Sequence, residues 1–302
     1  MKFKKYQHIE KIGHPEVKDL LFGKCYIFPK IDGTNASIWM DEGKMQCGSR
    51  NRHLTLEKDN AGFMAWAIQQ NNLVEFFENH PDIRLFGEWL VPHTLKTYHK
   101  DAWNNFYVFD VLGHNEDLEK GYEYLEYDRY KELLDAYDIN YIPPLATMES
   151  PKKSALDRYL DKNVFLIDDS CGTGEGIVIK NYGYKSHTGR QAWAKIVKNE
   201  FKMQAHKTMG APAHETHKHD IEAGIVELFV TDVLIDKTFA KITLNEDWQK
   251  KLIPKLLNMV FYDLISEEIW HILKKFKNPE IDFKRLMGLT FAKVKQHKND
   301  IF

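Results

Sequence analysis

Apolar and polar positions alternate over residues 24–52, where KCYIFPKIDGTNASIWM and KMQCGSR flank the turn Asp41-Glu42-Gly43-Lys44; the pattern predicts a β-hairpin. A helix should follow near 59–79. Arg84–Leu90 and Phe106–Leu112 are short and rich in aromatic or aliphatic side chains, which predicts strands. Tyr122–Tyr137 carries helical spacing, Pro143-Pro144 breaks it, and a weaker helical pattern occupies 151–161. Strands are expected at 163–167, 175–180 and 191–198. Without regular crossover helices between them, these strands predict an α+β fold with antiparallel sheets rather than a doubly wound parallel sheet.

The pattern changes near residue 202. QAHKTMGAPAHETHKHD, residues 204–220, holds a glycine, a proline and polar residues with no apolar period and reads as a linker. Helical spacing then returns through Ile221, Ile225 and Leu228, through Leu252, Leu256 and Met259, through Ile269, Leu273 and Phe276, and through Phe283, Met287 and Val294. Four helices are predicted, with Pro254 at a kink or a helix start, and with Ser266 and Asn278-Pro279-Glu280 as N-terminal caps. The expected organisation is a first domain over 1–205, a linker over 206–220 and a small all-α domain over 221–302.

Composition narrows the classes. A chain of 302 residues is long enough for two domains of about 150 residues each. With 43% hydrophobic and 28% charged residues it belongs with folded globular proteins, not disordered ones. No stretch reaches the roughly 18 apolar residues of a membrane span, and the charged start MKFKKYQHIEKIGH does not resemble a signal peptide, so a cytoplasmic location is expected. Cys25, Cys47 and Cys171 lie far apart without CxxC spacing, which excludes a disulfide framework or a zinc knuckle. The net charge of −2 excludes a domain that grips nucleic acid by bulk charge, so any polyanion must meet local clusters.

The chemistry concentrates in Lys30-Ile31-Asp32-Gly33-Thr34-Asn35. A lysine at a strand end, beside a glycine that lets backbone approach a ligand, is placed to act as a nucleophile, although a surface lysine beside a turn has the same local sequence. Arg50 and Arg52 follow on the partner strand of the expected hairpin. Gly172-Thr173-Gly174-Glu175-Gly176 lacks the GK[ST] ending of a P-loop and reads as a turn into a strand. His206, His214, His217 and His219 could bind a transition metal, but their place in the linker favours a solvated segment.

Phe86-Gly87-Glu88-Trp89, Phe106-Tyr107-Val108-Phe109-Asp110, Glu175-Gly176-Ile177-Val178-Ile179-Lys180 and Trp193-Ala194-Lys195-Ile196-Val197-Lys198 are each ordinary strand sequence. Their order after KIDGTN resembles the motif series of the ATP-dependent ligases and RNA capping enzymes, the covalent nucleotidyltransferases. Within that superfamily the chain most resembles the RNA ligases typified by the second RNA ligase of T-even phages. The opening FKKY, Asn35 five residues after Lys30, FGE followed by an aromatic, FYVFD, PPL and the late DFKRLMGLT all sit where that group has similar residues. Two departures stand out: Asp32 replaces a histidine, and Lys195-x-x-Lys198 replaces KxK.

The resemblance implies an ATP-dependent RNA ligase that joins 3′-hydroxyl and 5′-phosphate ends, in nick or break repair, through lysyl-AMP and RNA-adenylate intermediates. It implies ATP and Mg²⁺ or Mn²⁺ as cofactors and RNA, duplex by preference, as partner, with no membrane and no obligatory protein partner. Lys30, kept neutral by neighbouring cations, would attack the α-phosphorus. Phe109 would stack on adenine, Pro29 would offer its carbonyl to the adenine edge and Glu88 would accept a ribose hydroxyl. Asn35 and Arg50 would organise the phosphate or the RNA end, and Glu175 would hold the metal. Lys180, Lys195 and Lys198 would neutralise phosphate charge, with the α-phosphate contact open between the last two. Arg52, Lys284 and Arg285 are candidate RNA contacts. DNA ligases and capping enzymes follow the same core with a strand-rich domain, which the helical spacing after 221 does not match. A catalytically inactive scaffold that binds RNA ends is the alternative of a different class.

Overall fold

A computed structural model describes residues 1–92, 98–114, 121–169, 171–198, 221–244 and 246–302. The expected linker at 206–220 and its four histidines lie outside the described residues. The chain divides into two compact units, Met1–Gln204 and Ala205–Phe302.

The strands of the first unit are β1 (Glu10–Lys11), β2 (Lys24–Lys30), β3 (Thr34–Asp41), β4 (Lys44–Ser49), β5 (Arg84–Leu90), β6 (Asn105–His114), β7 (Tyr122–Tyr124), β8 (Ala146–Glu149), β9 (Gly176–Lys180) and β10 (Ala194–Val197). They form two five-stranded sheets, ordered β1-β10-β9-β2-β8 and β4-β3-β5-β6-β7. Every pairing is antiparallel except that of β1 with β10. With the helices α1 (Phe63–Ala67), α2 (Asn71–Asn79), α3 (Tyr127–Asp135) and α4 (Lys153–Asp161), this is the α+β architecture that the pattern predicts.

Several boundaries differ from expectation. The hairpin is β3–β4 alone, closed by Glu42 and Gly43 with φ of 49° and 71°, the positive values a tight two-residue turn requires. β2 instead pairs with β8 and β9 in the other sheet, so the KIDG segment is a crossing between sheets. The helix expected near 59–79 is split into α1 and α2. Tyr122–Tyr124, read as helical, is strand β7, and residues 163–167 contain a turn with Leu166 at φ 61° and one bridge, Ile167 with Tyr98.

Strand alternation gives the first sheet two different faces. Cys25 and Ile27 of β2, Ile177 and Ile179 of β9, and Ala194 and Ile196 of β10 pack against Leu156 and Leu160 of α4 and against Val17 and Leu20. The opposite face carries Tyr26, Phe28 and Lys30 on β2, Val178 and Lys180 on β9, and Lys195 on β10, by register. This face meets the second sheet, where Lys180 pairs with Asp110 of β6.

The second unit holds α5 (Ile221–Phe229), α6 (Asp232–Thr243), α7 (Ile253–Phe276) and α8 (Phe283–His297) around Ile225, Ile235, Leu256, Val260, Leu264, Ile272, Leu286 and Val294. Two of the expected helices, on either side of Ser266, are one helix of 24 residues, α7, with Pro254 in its first turn. Ser266 sits inside that helix and bonds back to the Asp263 carbonyl, so it is no cap. The cap of α8 is Asp282, which accepts from the N–H groups of Lys284 and Arg285, rather than Asn278. Among the described residues, no helix is long and apolar enough to cross a membrane.

Candidate active site

β2 ends at Lys30 in one sheet and β3 begins at Thr34 in the other, so the three intervening residues set Lys30 at the seam between the sheets. Three side chains hold this crossing. The Asp32 N–H donates to Tyr98 Oη at 2.6 Å, the Gly33 N–H donates to Glu88 Oε1 at 3.0 Å, and Asn60 Nδ2 donates to Thr34 Oγ1 at 3.0 Å. A Cβ at position 33 would lie 2.6 Å from the Trp89 carbonyl oxygen, so only glycine lets the loop sit this close to β5.

Lys30 is paired in register with Gly176, and the residue just before it, Glu175, places Oε2 2.6 Å from Lys30 Nζ. Gly176 makes this corner: its Cβ would fall 2.1 Å from the Ile196 carbonyl oxygen. Asn163 Nδ2 caps the Gly176 carbonyl at 2.6 Å, and the Gly174 N–H returns to the Asn163 carbonyl at 2.7 Å. The contact at Lys30 is thus with a carboxylate, and the two side chains are about one-fifth exposed each.

The other candidates sort by strand parity. Asn35 on β3 and Tyr107 on β6 lie opposite Glu88 on either side of β5, which sets Glu88 between them on one face. Ile27 of β2 turns its carbonyl toward Leu145, and alternation turns the Pro29 carbonyl the same way, past the end of β8, whose register stops at Ile27. There the carbonyl can meet a ligand edge and the missing N–H of proline costs no ladder bond. Phe109 is the extra residue of a bulge, because Gly87 pairs with Val108 and Phe86 with Asp110. A bulge re-aims its side chain. The half-buried Phe109 ring lies 4.8 Å from that of Tyr6 and 5.6 Å from Lys180 Nζ.

Lys180 does not stand open to a phosphate. It is 2% exposed and paired with Asp110 Oδ1 at 2.8 Å, and it donates to the Phe109 carbonyl. Its charge is compensated inside the fold, which corrects the role read from its motif. Burial pulls its pKa below the ordinary lysine value, against the attraction of Asp110. Lys195 and Lys198 separate clearly. Lys195 faces the Lys30 side of the first sheet, one residue pair away, opposite Val178. The Lys198 ammonium is held by Thr173 Oγ1 at 2.5 Å and Asp161 Oδ1 at 3.3 Å, while its N–H donates to the Glu175 carbonyl at 2.9 Å.

Arg50 and Arg52 are exposed. Arg50 Nη2 lies 3.2 Å from His8 Nδ1, which must be the acceptor because a guanidinium has none, and Arg52 Nη2 donates to the Asp59 carbonyl at 2.9 Å. Lys284 and Arg285 are exposed in the first turn of α8, in the second unit.

The motif reading missed Tyr98, Asn60 and Asn163, all structural holds on the Lys30 and Glu175 corners, and gave Asp110 no role. Asp110 is fully buried and accepts from Tyr6 Oη and from Trp193 Nε1, the latter at 3.1 Å. A signal for it existed: an acid within the apolar run of β6, Asp110, and a base at the end of the apolar β9, Lys180. Buried charges need partners.

With regard to metal, Glu175 is a partly exposed oxygen donor at the nucleophile, and no cluster of three or more His, Cys, Asp or Glu residues that could hold a metal ion exists among the described residues. Such a donor set suits Mg²⁺ or Mn²⁺ shared between one carboxylate, waters and substrate phosphates, and it does not suit a metal held by protein alone.

No curated protein sequence matches the chain. Solved structures of the Naegleria gruberi RNA ligase do resemble it. A glutamate-to-alanine variant with AMP and Mn aligns over 67% of this chain and 58% of that one, at 17% identity and a TM-score of 0.51. A lysine-to-alanine variant with ATP and Mn aligns over 68% and 58%, at 19% identity and a TM-score of 0.50. At this identity the likeness is one of fold, and this chain spans about 58% of the length of those chains. The RNA ligase family profile matches residues 23–197, more than half of the chain. That match runs from just before β2 to the end of β10, across every strand that positions Lys30, Glu88, Phe109 and Glu175, and on it the chain belongs to the RNA ligase family.

Proposed function

We propose that the chain is an ATP-dependent RNA ligase of the kind typified by the second RNA ligase of T-even phages, joining a 3′-hydroxyl to a 5′-phosphate. The observation that carries this reading is the 2.6 Å contact of Lys30 with Glu175 at the seam of the two sheets. It joins a nucleophile to a metal-type ligand, with Lys195 on the same face of the first sheet and with Glu88 and Asn35 paired across β5 and β3 of the second. In the first step Lys30 Nζ, once deprotonated, attacks the α-phosphorus of ATP; an N–P bond forms, the bond to the β-phosphate oxygen breaks and pyrophosphate leaves. In the second, an oxygen of the RNA 5′-phosphate attacks the same phosphorus and Lys30 is released. In the third, the RNA 3′-hydroxyl attacks the activated 5′-phosphorus and AMP departs.

When bound, a divalent metal supplies charge compensation to the phosphates, and Glu175 is the residue that would hold it. Glu88 and the Pro29 carbonyl fix the nucleoside, Phe109 offers the stacking surface, and Lys195, rather than Lys198, faces the α-phosphate. Glu175→Ala should lower the rate of lysyl-AMP formation by about two orders of magnitude, the scale of one lost electrostatic element at a reacting phosphate. Incubation with α-labelled ATP and Mg²⁺, followed over time, measures it, and an unchanged rate would place the metal on another residue.

RNA, duplex by preference, is the proposed polynucleotide, and the helical unit is the proposed surface for its backbone. Lys284 and Arg285 occupy the first turn of α8, where the helix dipole disfavours cations, and Asp282 caps the N–H groups of both. Cations kept at an unfavourable place suit contact with an external anion. Replacing both with glutamine should weaken sealing of nicked RNA several-fold near 0.15 M salt, with recovery at low salt because two phosphate contacts are removed, and should leave lysyl-AMP formation unchanged. A salt dependence of RNA binding identical to that of the unaltered protein would remove them from the interface. The described residues of the second unit are helical, in place of strand-rich, which supports this reading over a DNA ligase or a capping enzyme. A chain that takes no label from ATP at all would be the end-binding scaffold instead.

A further inference from the structure

We propose that Tyr98 is a positioning residue for Lys30, acting through the backbone of the crossing loop; the proposal rests on the lysyl-AMP reading above. The phenol oxygen accepts the Asp32 N–H at 2.6 Å, two residues beyond the nucleophile. The Tyr98 side is well anchored. The residue is 5% exposed, its ring meets Trp103 edge-on at 5.3 Å, it bridges to Ile167, and the His99 N–H donates to the Leu166 carbonyl at 3.1 Å.

The stretch from Asn163 to Ile167 therefore grips both partners of the catalytic ion pair. At one end it fixes Tyr98, and through it the Lys30 loop; at the other, Asn163 holds the carbonyl beside Glu175. Of the other two holds on the crossing, Glu88 is a group that the nucleotide is expected to engage and Asn60 meets the far end of the loop at Thr34, so Tyr98 is the hold nearest Lys30 that substrate does not share. Its oxygen stays a neutral hydroxyl, because burial first, and the charges of Asp32, Glu175 and Glu88 after it, push its pKa far above the usual tyrosine value, against the opposing hydrogen bond from the Asp32 N–H. It can therefore orient the loop without adding charge beside Lys30. In-line attack needs the nitrogen within about 3.5 Å of phosphorus, and an error of about 1 Å can cost on the order of a hundredfold.

Tyr98→Phe keeps the ring and removes only the acceptor. In the full-length protein, single-turnover lysyl-AMP formation should slow by about ten- to a hundredfold at saturating ATP, with the half-saturating ATP concentration changed less than about twofold. Sealing of RNA that already carries a 5′-adenylate should stay near the wild-type rate, since Lys30 forms no bond in that step. Amide exchange at Asp32 should accelerate. Wild-type lysyl-AMP kinetics in the variant would overturn the proposal, as would an equal loss in all three steps, which would mark a purely structural role. Unchanged exchange at Asp32 would overturn the contact itself, and it can be read whatever the activity of the variant. If the unaltered protein forms no lysyl-AMP, the reading above and this proposal both fail, whereas a normal wild type beside an unaffected variant removes this proposal alone.

Discussion

Lys30→Ala and Lys30→Arg should both reduce covalent labelling by α-labelled ATP to background, and the arginine variant is the more informative of the two. Alanine removes the nucleophile and also leaves the Glu175 carboxylate without the ammonium 2.6 Å away, so an inactive alanine variant could reflect a rearranged corner. Arginine restores a cation opposite Glu175 but holds its proton, with a pKa above about 12, and cannot supply a lone pair to phosphorus. Loss of label in both variants, with thermal unfolding near that of the unaltered protein, assigns the N–P bond to Lys30. Because the nucleophile of the last step is the RNA 3′-hydroxyl, both variants should still seal RNA that already carries a 5′-adenylate, at a rate set by nucleotide and metal contacts. Label retained in either variant would mean that another side chain, with Lys195 the nearest candidate by register, is adenylylated.

Part of this site was readable from sequence because its chemistry is written as contiguous strand ends. GEW, FYVFD, EGIVIK and WAKIVK each lie on one β-strand or its margin, KIDGTN joins the ends of two, and strand parity alone then separates Lys195 from the apolar positions beside it. What the pattern could not show is which sheet a strand joins. β2 and β3 are adjacent in sequence and both alternate, so they read as a hairpin, yet the Gly33 loop carries the chain across to another sheet. That crossing, not a turn, is what puts Lys30 at the seam between the sheets. Tyr98 was invisible for a related reason: its phenol oxygen accepts from a backbone N–H distant in sequence, and no spacing rule connects residue 98 with residue 32. In the helical unit the apolar spacing identified helical character correctly, but Ser266 followed by two glutamates imitates a cap. Burial of Leu264 and Ile272 on either side keeps α7 continuous through it. Tertiary burial overrode a local signal.

Lys180→Met should lower the stability of the first unit by about 3–5 kcal/mol, the cost of stranding one partner of a buried ion pair. Asp110 is fully buried and is met from three distant parts of the chain: Lys180 on β9 forms an ion pair with it, and Trp193 just before β10 and Tyr6 in the N-terminal segment donate hydrogen bonds to it. Methionine fills the space of the lysine stem but supplies neither the counter-charge to Asp110 nor the donor to the Phe109 carbonyl. Asp110→Asn should cost less. The ammonium would keep that carbonyl and the faces of Phe28, Phe109 and Trp193, at 4.8, 5.6 and 5.8 Å, and burial already favours its neutral form. A double variant, Lys180→Met with Asp110→Asn, should recover part of the loss, because no charge is then stranded. Since two units melt in one chain, the shift belongs to the transition of the first, on the order of 10 °C for Lys180→Met at roughly 2–4 °C per kcal/mol for a unit of this size. A functional trace should accompany it. The Phe109 bulge would lose the closer of the two donors to its carbonyl, keeping only Tyr130 Oη at 3.5 Å, so at a temperature where the variant is folded its half-saturating ATP concentration should rise while Lys30 still becomes labelled. A Lys180→Met protein as stable as wild type would mean that the pair adds nothing to the fold, and one that is folded with unaltered ATP saturation would detach the bulge from the nucleotide.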